Sequence, residues 1–531
     1  MPPSSTSAPP PAGERPWRRQ AAWLLVTLTY LFAFPYYQRI DNPNENVRIW
    51  AARAVVEHGV LNIDEVQREW GYVNDKATNE GHVYSSKAPG ATFLAVPVLA
   101  IHTKLRHLLG WSSPNKLETT FWLRLWALKL PLCVFLWFFA RYIERLTGAP
   151  AARDLLVVGL GLGTMMYPYG EIFTGHALAA AAGFGSFMLL APPGGRGIAD
   201  RPGLLDGKLL GAGLLAAWCV TFEYQAAFVV AALAVYALYV YRGHAAAFFA
   251  GALPVAAGLG LYHTVLFGRP WRFPYGYIEN PEFLRTAHSA GFHGLTLPHP
   301  DAFGVFLLRP DYGLFAFSPV LALGVLAAVW LVVRGARRDG LLVLAITTLM
   351  VLFQAGMSNW RAGWCVGPRY IATVTPFLTF AIARAWPPVR RWTWLLPLCA
   401  GLVLASLVLN VSSGAVYPHY PEVFDNPVFD VTFPLLREGY APYSLGWALG
   451  LRGALSLAPI ALCALGAFAL GAVGDDPRPA QRTANVGLAL IVAAAFLVPL
   501  STYGRRPSAA ESSTLAFLRS TWEPPPAPPK R

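Results

Sequence analysis

Side chains able to move a proton or hold an anion gather in a few short stretches of this 531-residue sequence. Asp41 and Glu45 stand four apart, so a helix begun there brings the two carboxylates together. The Asp-Asn-Pro-Asn turn around them suits a helix cap equally well. Lys87 precedes Pro89 and Gly90 at the head of an apolar stretch, where the free amides of a helix start attract anions. A lysine reaching toward lipid headgroups is the plainer reading. Glu171 and His176 follow Tyr167-Pro-Tyr169, and Glu223 sits in Thr-Phe-Glu-Tyr, each at a junction between apolar runs. An acid so close to hydrocarbon is costly and faces a cavity or a polar partner at the turn. The stretch Arg361-Ala-Gly-Trp364-Cys-Val-Gly367-Pro368-Arg369-Tyr370 joins glycines that allow close approach to an indole able to stack on a sugar. Its Arg369 can grip a phosphate through two donors, or anchor a lipid headgroup. His288, His293 and His299 lie on a Gly/Pro-rich loop at spacings outside the usual zinc patterns. No metal site is expected from them, and nothing in the sequence supports a divalent metal or a resident cofactor. No phosphate-cradling Gly-rich loop is present, which argues against a nucleotide-sugar donor.

The elements that must position these residues are membrane helices. Only 13% of residues are charged, about half the usual share in soluble proteins. The runs 314–333, 392–410 and 455–473 are predominantly apolar over the ~20 residues that cross a bilayer core. In lipid such runs must be helical, because every backbone amide has to find its partner within its own segment. The net charge of +13 comes from short basic clusters between apolar runs, where orientation in the membrane explains them without a nucleic-acid partner. Four of the five cysteines lie inside apolar runs, with no pairing framework.

Basic clusters fix the topology. With the N-terminal segment 1–20 in the cytoplasm, the first span covers 21–37 and a long outer loop 38–118 follows. If its apolar stretch Ala91–Leu105 lies along the membrane surface, Arg141/Arg145/Arg153, Arg196/Arg201/Lys208, Arg242, Arg334/Arg337/Arg338, Arg384/Arg390/Arg391 and Arg478/Arg482 all fall on the cytoplasmic side. Pro97, His102 and Lys104 suit such an interfacial helix. The remaining spans are 119–140, 154–169, 173–191, 208–222, 225–241, 245–266, 313–333, 340–356, 369–385, 392–411, 446–473 and 485–503. The expected fold is an all-α polytopic membrane protein of about thirteen transmembrane helices, one domain over 21–503. Its extracytoplasmic loops are 38–118, 267–312 and 412–445, and a disordered extracytoplasmic tail covers 504–531. The chemistry-bearing side chains gather on the extracytoplasmic face.

In the first outer loop, Asn44-Glu45 is followed by Arg48 and Arg53 on a helix ending near Gly59. Further on come Glu80-Gly-His82-Val-Tyr84 and Lys87-Ala-Pro89. This order resembles the GT-C superfamily of membrane glycosyltransferases, including protein mannosyltransferases and bacterial aminoarabinose transferases. There an acidic pair follows the first span, then an Ala-Arg helix, then a Lys-Pro-Pro-like motif. The resemblance covers the first ~170 residues in motif order and the rest in topology. It implies a multi-pass enzyme of a bacterial inner membrane that takes a sugar from a polyprenyl phosphate and passes it to a glycan, lipid or protein acceptor with inversion.

Glu45 or Asp41 would then be the base on the acceptor hydroxyl, and Lys87 and Arg369 would stabilise the departing phosphate. Arg48, His82, Tyr84, Glu171, His176, Glu223 and Trp364 become acceptor- or sugar-binding candidates. One departure stands out: Asn44 replaces the first acid of the pair. A flippase of lipid-linked saccharides, or a GT-C-like assembly protein without activity, are the rival readings. Polar groups concentrated at one face, rather than in mid-span, disfavour the flippase.

Overall fold

A computed structural model describes residues 17–39, 42–193, 206–504 and 508–526. The described chain is a bundle of apolar helices with small elements gathered at one end. In chain order the main helices are α1 (Arg18–Phe32), α2 (Pro43–Arg53), α3 (Gly90–Leu108), α4 (Lys116–Thr147), α5 (Pro150–Leu162), α6 (His176–Leu190), α7 (Gly207–Phe222) and α8 (Ala227–Tyr241). Then come α9 (Ala246–Phe267), α10 (Val320–Val333), α11 (Arg337–Gly356), α12 (Thr375–Val389), α13 (Leu395–Val416), α14 (Ala458–Ala472), α15 (Pro479–Thr502) and α16 (Ala509–Thr521). Among the described residues, α4, the α8–α9 stretch, α11, α13, the stretch Gly453–Ala472 and α15 are long and apolar enough to cross a membrane. Helices α6, α7 and α10 are shorter and apolar.

Each expected span has a helix, with shifted ends. The helix expected over 154–169 stops at Leu162, leaving a buried irregular stretch that carries Glu171. The helix ends at Gly163, whose amide still donates to the Gly159 carbonyl at 3.0 Å. The span expected from 446 begins as a helix only at Ala458, after short turns at Leu445–Ala448 and Gly453–Leu457. The disordered tail expected over 504–531 is corrected: α16 is capped by a reciprocal Ser508–Glu511 box. Leu518 and Trp522 bury into an aromatic cluster with Tyr37, Tyr417 and Tyr420. Residues 527–531, like Arg196 and Arg201, lie outside the described residues.

The bundle has two polar ends. At the start of α1, two arginines oppose the helix dipole and are answered by acids: Arg18 pairs with Asp154, and Arg19 with Glu144 at 2.6 Å. Arg153 bridges the same two acids, and Asp475 accepts from the Ala151 amide at 3.1 Å. At the other end, α2 lies over the bundle. Asn42 caps it by accepting from the Glu45 amide, and Pro43 opens it.

Helix α3, ~28 Å long at 1.5 Å per residue, joins two helix ends on the α2 side. Gly90 abuts the last turn of α7, where a Cβ would come 2.7 Å from the Thr221 backbone. His102 and Arg106 reach Glu118 in the first turn of α4 at 3.0 and 2.6 Å. The two helices it joins are tied to α2 on that same side, Glu45 to Arg124 of α4 and Arg48 to Glu223 just past α7. An upright helix would touch opposite ends; α3 lies across one end, as expected for Ala91–Leu105.

Candidate functional site

A cavity of ≈ 950 Å³ opens at the α2 end of the bundle. Four charged side chains lie on its wall: Asp75, Lys87, Glu223 and Arg369. The first two are brought together by a hairpin, β1 (Lys76–Asn79) against β2 (His82–Ser85), in which Lys76 faces Ser85. That register sets Asp75 beside Ser86 and Lys87: the Ser86 hydroxyl donates to the Asp75 carbonyl at 2.8 Å, and the Lys87 ammonium lies 3.1 Å from the Asp75 carboxylate. Burial would push the Asp75 carboxyl up, but Lys87 and Arg369 outweigh it and hold the group below its usual value. Asp75 is therefore a carboxylate that already feels both cations. Lys87 is pushed down, first by burial, then by Arg369 and Arg48, with Asp75 opposing.

Glu223 enters from the turn after α7. It accepts from Arg48 at 2.9 Å and from the Gln225 amide at 3.2 Å, with His176 Nδ1 at 3.6 Å. Burial would raise its carboxyl, but His176, Arg48 and Arg369 together hold it low. Arg48 is fully buried behind this wall and also donates to the Asn44 carbonyl at 2.8 Å and to its side-chain oxygen. Arg369 comes from the short turn Arg369–Val374 that leads into α12. Its Nε is buried without a hydrogen bond, and among the described residues it has no acid within ion-pair distance. Among the described residues, two carboxylates thus face Lys87, Arg369 and, one layer back, Arg48, leaving one positive charge in excess. Excess positive charge on half-buried cations is costly, and an anion in the cavity would relieve it.

The rest of the wall is divided. Phe228, Ala256, Leu259, Phe353 and Met357 from α8, α9 and the α11 end make an apolar arm. Asn42, Asn44, His419, Trp364 and Phe517 supply amides, an imidazole and aromatic faces. Asn42 has its side-chain oxygen committed to the helix cap, so its amide nitrogen donates to the His419 ring at 3.0 Å. Burial pushes His419 down to about 4, with Glu45 opposing and Arg124 adding to the shift, which keeps it neutral near pH 7.

The residues expected from sequence part company here. Lys87, Arg369, Glu223, His176 and Trp364 share the cavity wall. The expectation that Glu45 presents its carboxylate to an acceptor is corrected. Glu45 is only 4% exposed, and both oxygens are taken by Arg124 at 2.7 and 2.6 Å and by the Phe173 amide at 2.7 Å. Burial works against its ionisation, and the Arg124 guanidinium overrides that and holds its carboxyl below the usual value. A one-residue helical step turns Asn44 to the cavity and Glu45 to the core. Asp41 lies outside the described residues.

Glu171 is fully buried against Lys129 at 2.6 Å, away from the cavity wall. His82 is half exposed and bonds Asp64 at 2.7 Å, and Tyr84 packs on Phe267, so neither reaches the cavity. Arg48 acts through Glu223 rather than at the wall. Sequence reading passed over Asp75, His419 and Phe517. For Asp75 a signal existed: Glu80-Gly81 at a hairpin tip sets Asp75 opposite Ser86, next to Lys87. Outside the cavity, ligand atoms of Glu57, His58 and Glu69 lie within 4.8 Å of one another. The Arg53 guanidinium already binds both acids there, at 2.8 and 2.6 Å.

No protein-family model and no curated protein matches the chain. Among solved structures it is similar to ArnT from Cupriavidus metallidurans bound to undecaprenyl phosphate, at 14% identity and TM-score 0.44 over 90% of this chain and 77% of that one. It is also similar to the arabinosyltransferase EmbB from Mycobacterium smegmatis, at 14% identity and TM-score 0.41 over 96% of this chain and 42% of that one. A third similarity is to the Archaeoglobus fulgidus oligosaccharyltransferase, at 11% identity and TM-score 0.40 over 96% of this chain and 59% of that one. The chain thus spans under half of EmbB and under two thirds of the oligosaccharyltransferase.

Proposed function

We propose that this protein is a membrane glycosyltransferase that moves a sugar from a polyprenyl-phosphate donor to an acceptor hydroxyl at the extracytoplasmic face. One observation carries the reading: Lys87 and Arg369, which has no acid partner among the described residues, share a single cavity with Asp75 and Glu223, beside an apolar arm. A phosphate carrying a long apolar chain satisfies both features of that wall. Its oxygens fill the excess positive charge through charge-assisted hydrogen bonds, and its prenyl chain lies along Phe228, Leu259 and Phe353 toward the lipid.

In this reading Asp75 is the base. Its side chain is 17% exposed against 8% for Glu223, and Lys87 is its ion-pair partner where Glu223 is held by Arg48 and Gln225. As donor phosphate draws Lys87 away, the Asp75 carboxylate takes the proton of the acceptor hydroxyl. The acceptor oxygen attacks the anomeric carbon from the face opposite the phosphate, and the bond from that carbon to the phosphate oxygen breaks. The polyprenyl phosphate leaves with the added negative charge, held by Lys87 and Arg369. The configuration inverts. Glu45 keeps the structural task of fixing Arg124 and the start of α2.

The test is to incubate the purified protein with radiolabelled polyprenyl-phosphate sugars and acceptor extracts. Label moved to an acceptor supports transfer, and label carried across proteoliposomes without a new bond indicates a flippase. Label that stays on its carrier in place contradicts an active enzyme.

A further inference from the structure

Helix α3 turns two different faces outward. Ile101, Leu105, Leu108 and Leu109 follow one another at helical spacing and are 54–73% exposed, an apolar stripe set to lie in lipid. On the neighbouring face Ala100, Thr103, Lys104 and His107 line a groove of ≈ 630 Å³, and Leu108 belongs to both faces. The π-helical turn Ala54–His58, which prolongs α2, contributes Val56, Glu57 and His58 to the groove. Ser113 comes from the link to α4. No residue of this groove lines the larger cavity.

Among the described residues the groove holds one unbalanced charge of each sign. Arg53 serves two acids, Glu57 at 2.8 Å and Glu69 at 2.6 Å, so one negative charge is left over. The second Glu57 oxygen, Oε1, is buried without a hydrogen bond. The π-helical turn ends at the same place, adding the negative end of a helix dipole. Lys104, by contrast, has no acid within ion-pair distance among the described residues. Beside it Thr103 is 7% exposed, and its hydroxyl makes no bond, not even to the carbonyl one turn back that usually takes it. The His107 ring lies 3.2 Å from the Ser113 hydroxyl. A phosphodiester asks for a cation and hydroxyl donors, and a primary ammonium asks for a carboxylate oxygen. We propose that this groove binds the headgroup of a phosphoethanolamine phospholipid, its phosphate on Lys104, Thr103 and His107 and its ammonium on Glu57. The acyl chains continue from Leu108 along the apolar stripe, which makes the occupant a membrane lipid. A choline headgroup has no N–H to give Glu57, and an anionic glycerol headgroup leaves that acid unanswered. The site is independent of the transferase reading; it holds down the far end of the helix whose start follows Lys87.

The experiment titrates the purified full chain in detergent with phospholipids of identical acyl chains and ethanolamine, choline or glycerol headgroups. Native mass spectrometry counts the lipid bound. The ethanolamine lipid should bind several-fold more tightly than the other two. Lys104→Ala should weaken it about fivefold, and Lys104→Arg should restore it. Glu57→Gln should bring the ethanolamine and choline lipids level. Lys104 is exposed, so both variants at that position should keep the wild-type melting temperature and undecaprenyl phosphate affinity. Equal binding of all three lipids by the wild type would mean annular lipid only and overturn the site. So would a glycerol lipid that binds best, or an ethanolamine lipid affinity untouched by Lys104→Ala. Weaker undecaprenyl phosphate binding in Lys104→Ala would make the groove part of the donor site and overturn it as well.

Discussion

Both ends of the bundle set arginines among acids, and the two ends differ in one respect. At the α1 start, Arg18, Arg19 and Arg153 are matched by Glu144 and Asp154 in direct ion pairs. None of these side chains lines the large cavity. At the α2 end, Arg124 is closed in the same way on Glu45, while Arg369 faces the cavity with no acid of its own among the described residues. A buried charge with its partner in good geometry fixes helices to one another. One held on an open wall without a partner is kept there at a cost in stability, which the proposed donor phosphate would relieve. Burial and charge are therefore not the signal; the missing partner is.

The sharpest way to break that contrast is Asp75→Asn, which should lower transfer about 10²–10⁴-fold with an unchanged melting temperature. Unchanged turnover would remove Asp75 from the chemistry. Next in size is Glu45→Gln, which breaks a buried pair and should cost about 3–5 kcal/mol of stability, read by thermal unfolding. Glu144→Gln at the far end should cost a similar amount, with turnover per folded molecule near wild type. Full stability with lost turnover in Glu45→Gln would return Glu45 to the role its place in the sequence suggests.

That reversal shows what the sequence could and could not carry. The helices were legible because lipid leaves no alternative to long apolar runs, and α3 was legible because the basic clusters agree only if it lies flat. Lys87 was legible from its place before Pro89 and Gly90 at the head of an apolar stretch, and Arg369 from its place beside Trp364 and Gly367. Glu45 misled because adjacent helical positions point about 100° apart, and only packing decides which of Asn44 and Glu45 meets the cavity. Asp75 needed a hairpin register, and His419 and Phe517 needed contacts spanning most of the chain, with |i−j| of 377 for Asn42–His419. The π-helical stretch Arg124–Lys129 inside α4 has no sequence signature, yet it turns both its cations to buried acids.

Smaller effects sharpen the comparison. Asn44→Asp places an acid beside Arg48 and in competition with Glu223, and should weaken phosphate binding by a few-fold as the excess positive charge is cancelled; titration with undecaprenyl phosphate reads this. The mildest effect is that of pH. An unfolded imidazole titrates near 6.5 and His419 in the fold near about 4. Between these values the unfolded chain binds the extra proton, so the His419 contribution is destabilising as pH falls through that window and absent above it. Melting temperature should drop from pH 7 to pH 5 by less in His419→Gln than in wild type. An equal drop would assign the acid sensitivity to other groups.

The most direct measurement is the affinity of undecaprenyl phosphate for the wild-type protein and for Arg369→Ala, by titration in nanodiscs. A charge-assisted hydrogen bond lost from the phosphate is worth about 1.5–3 kcal/mol, so the variant should bind roughly 10- to 150-fold more weakly with no loss of melting temperature. Equal affinity in the two proteins would mean that the unpartnered guanidinium does not hold the donor.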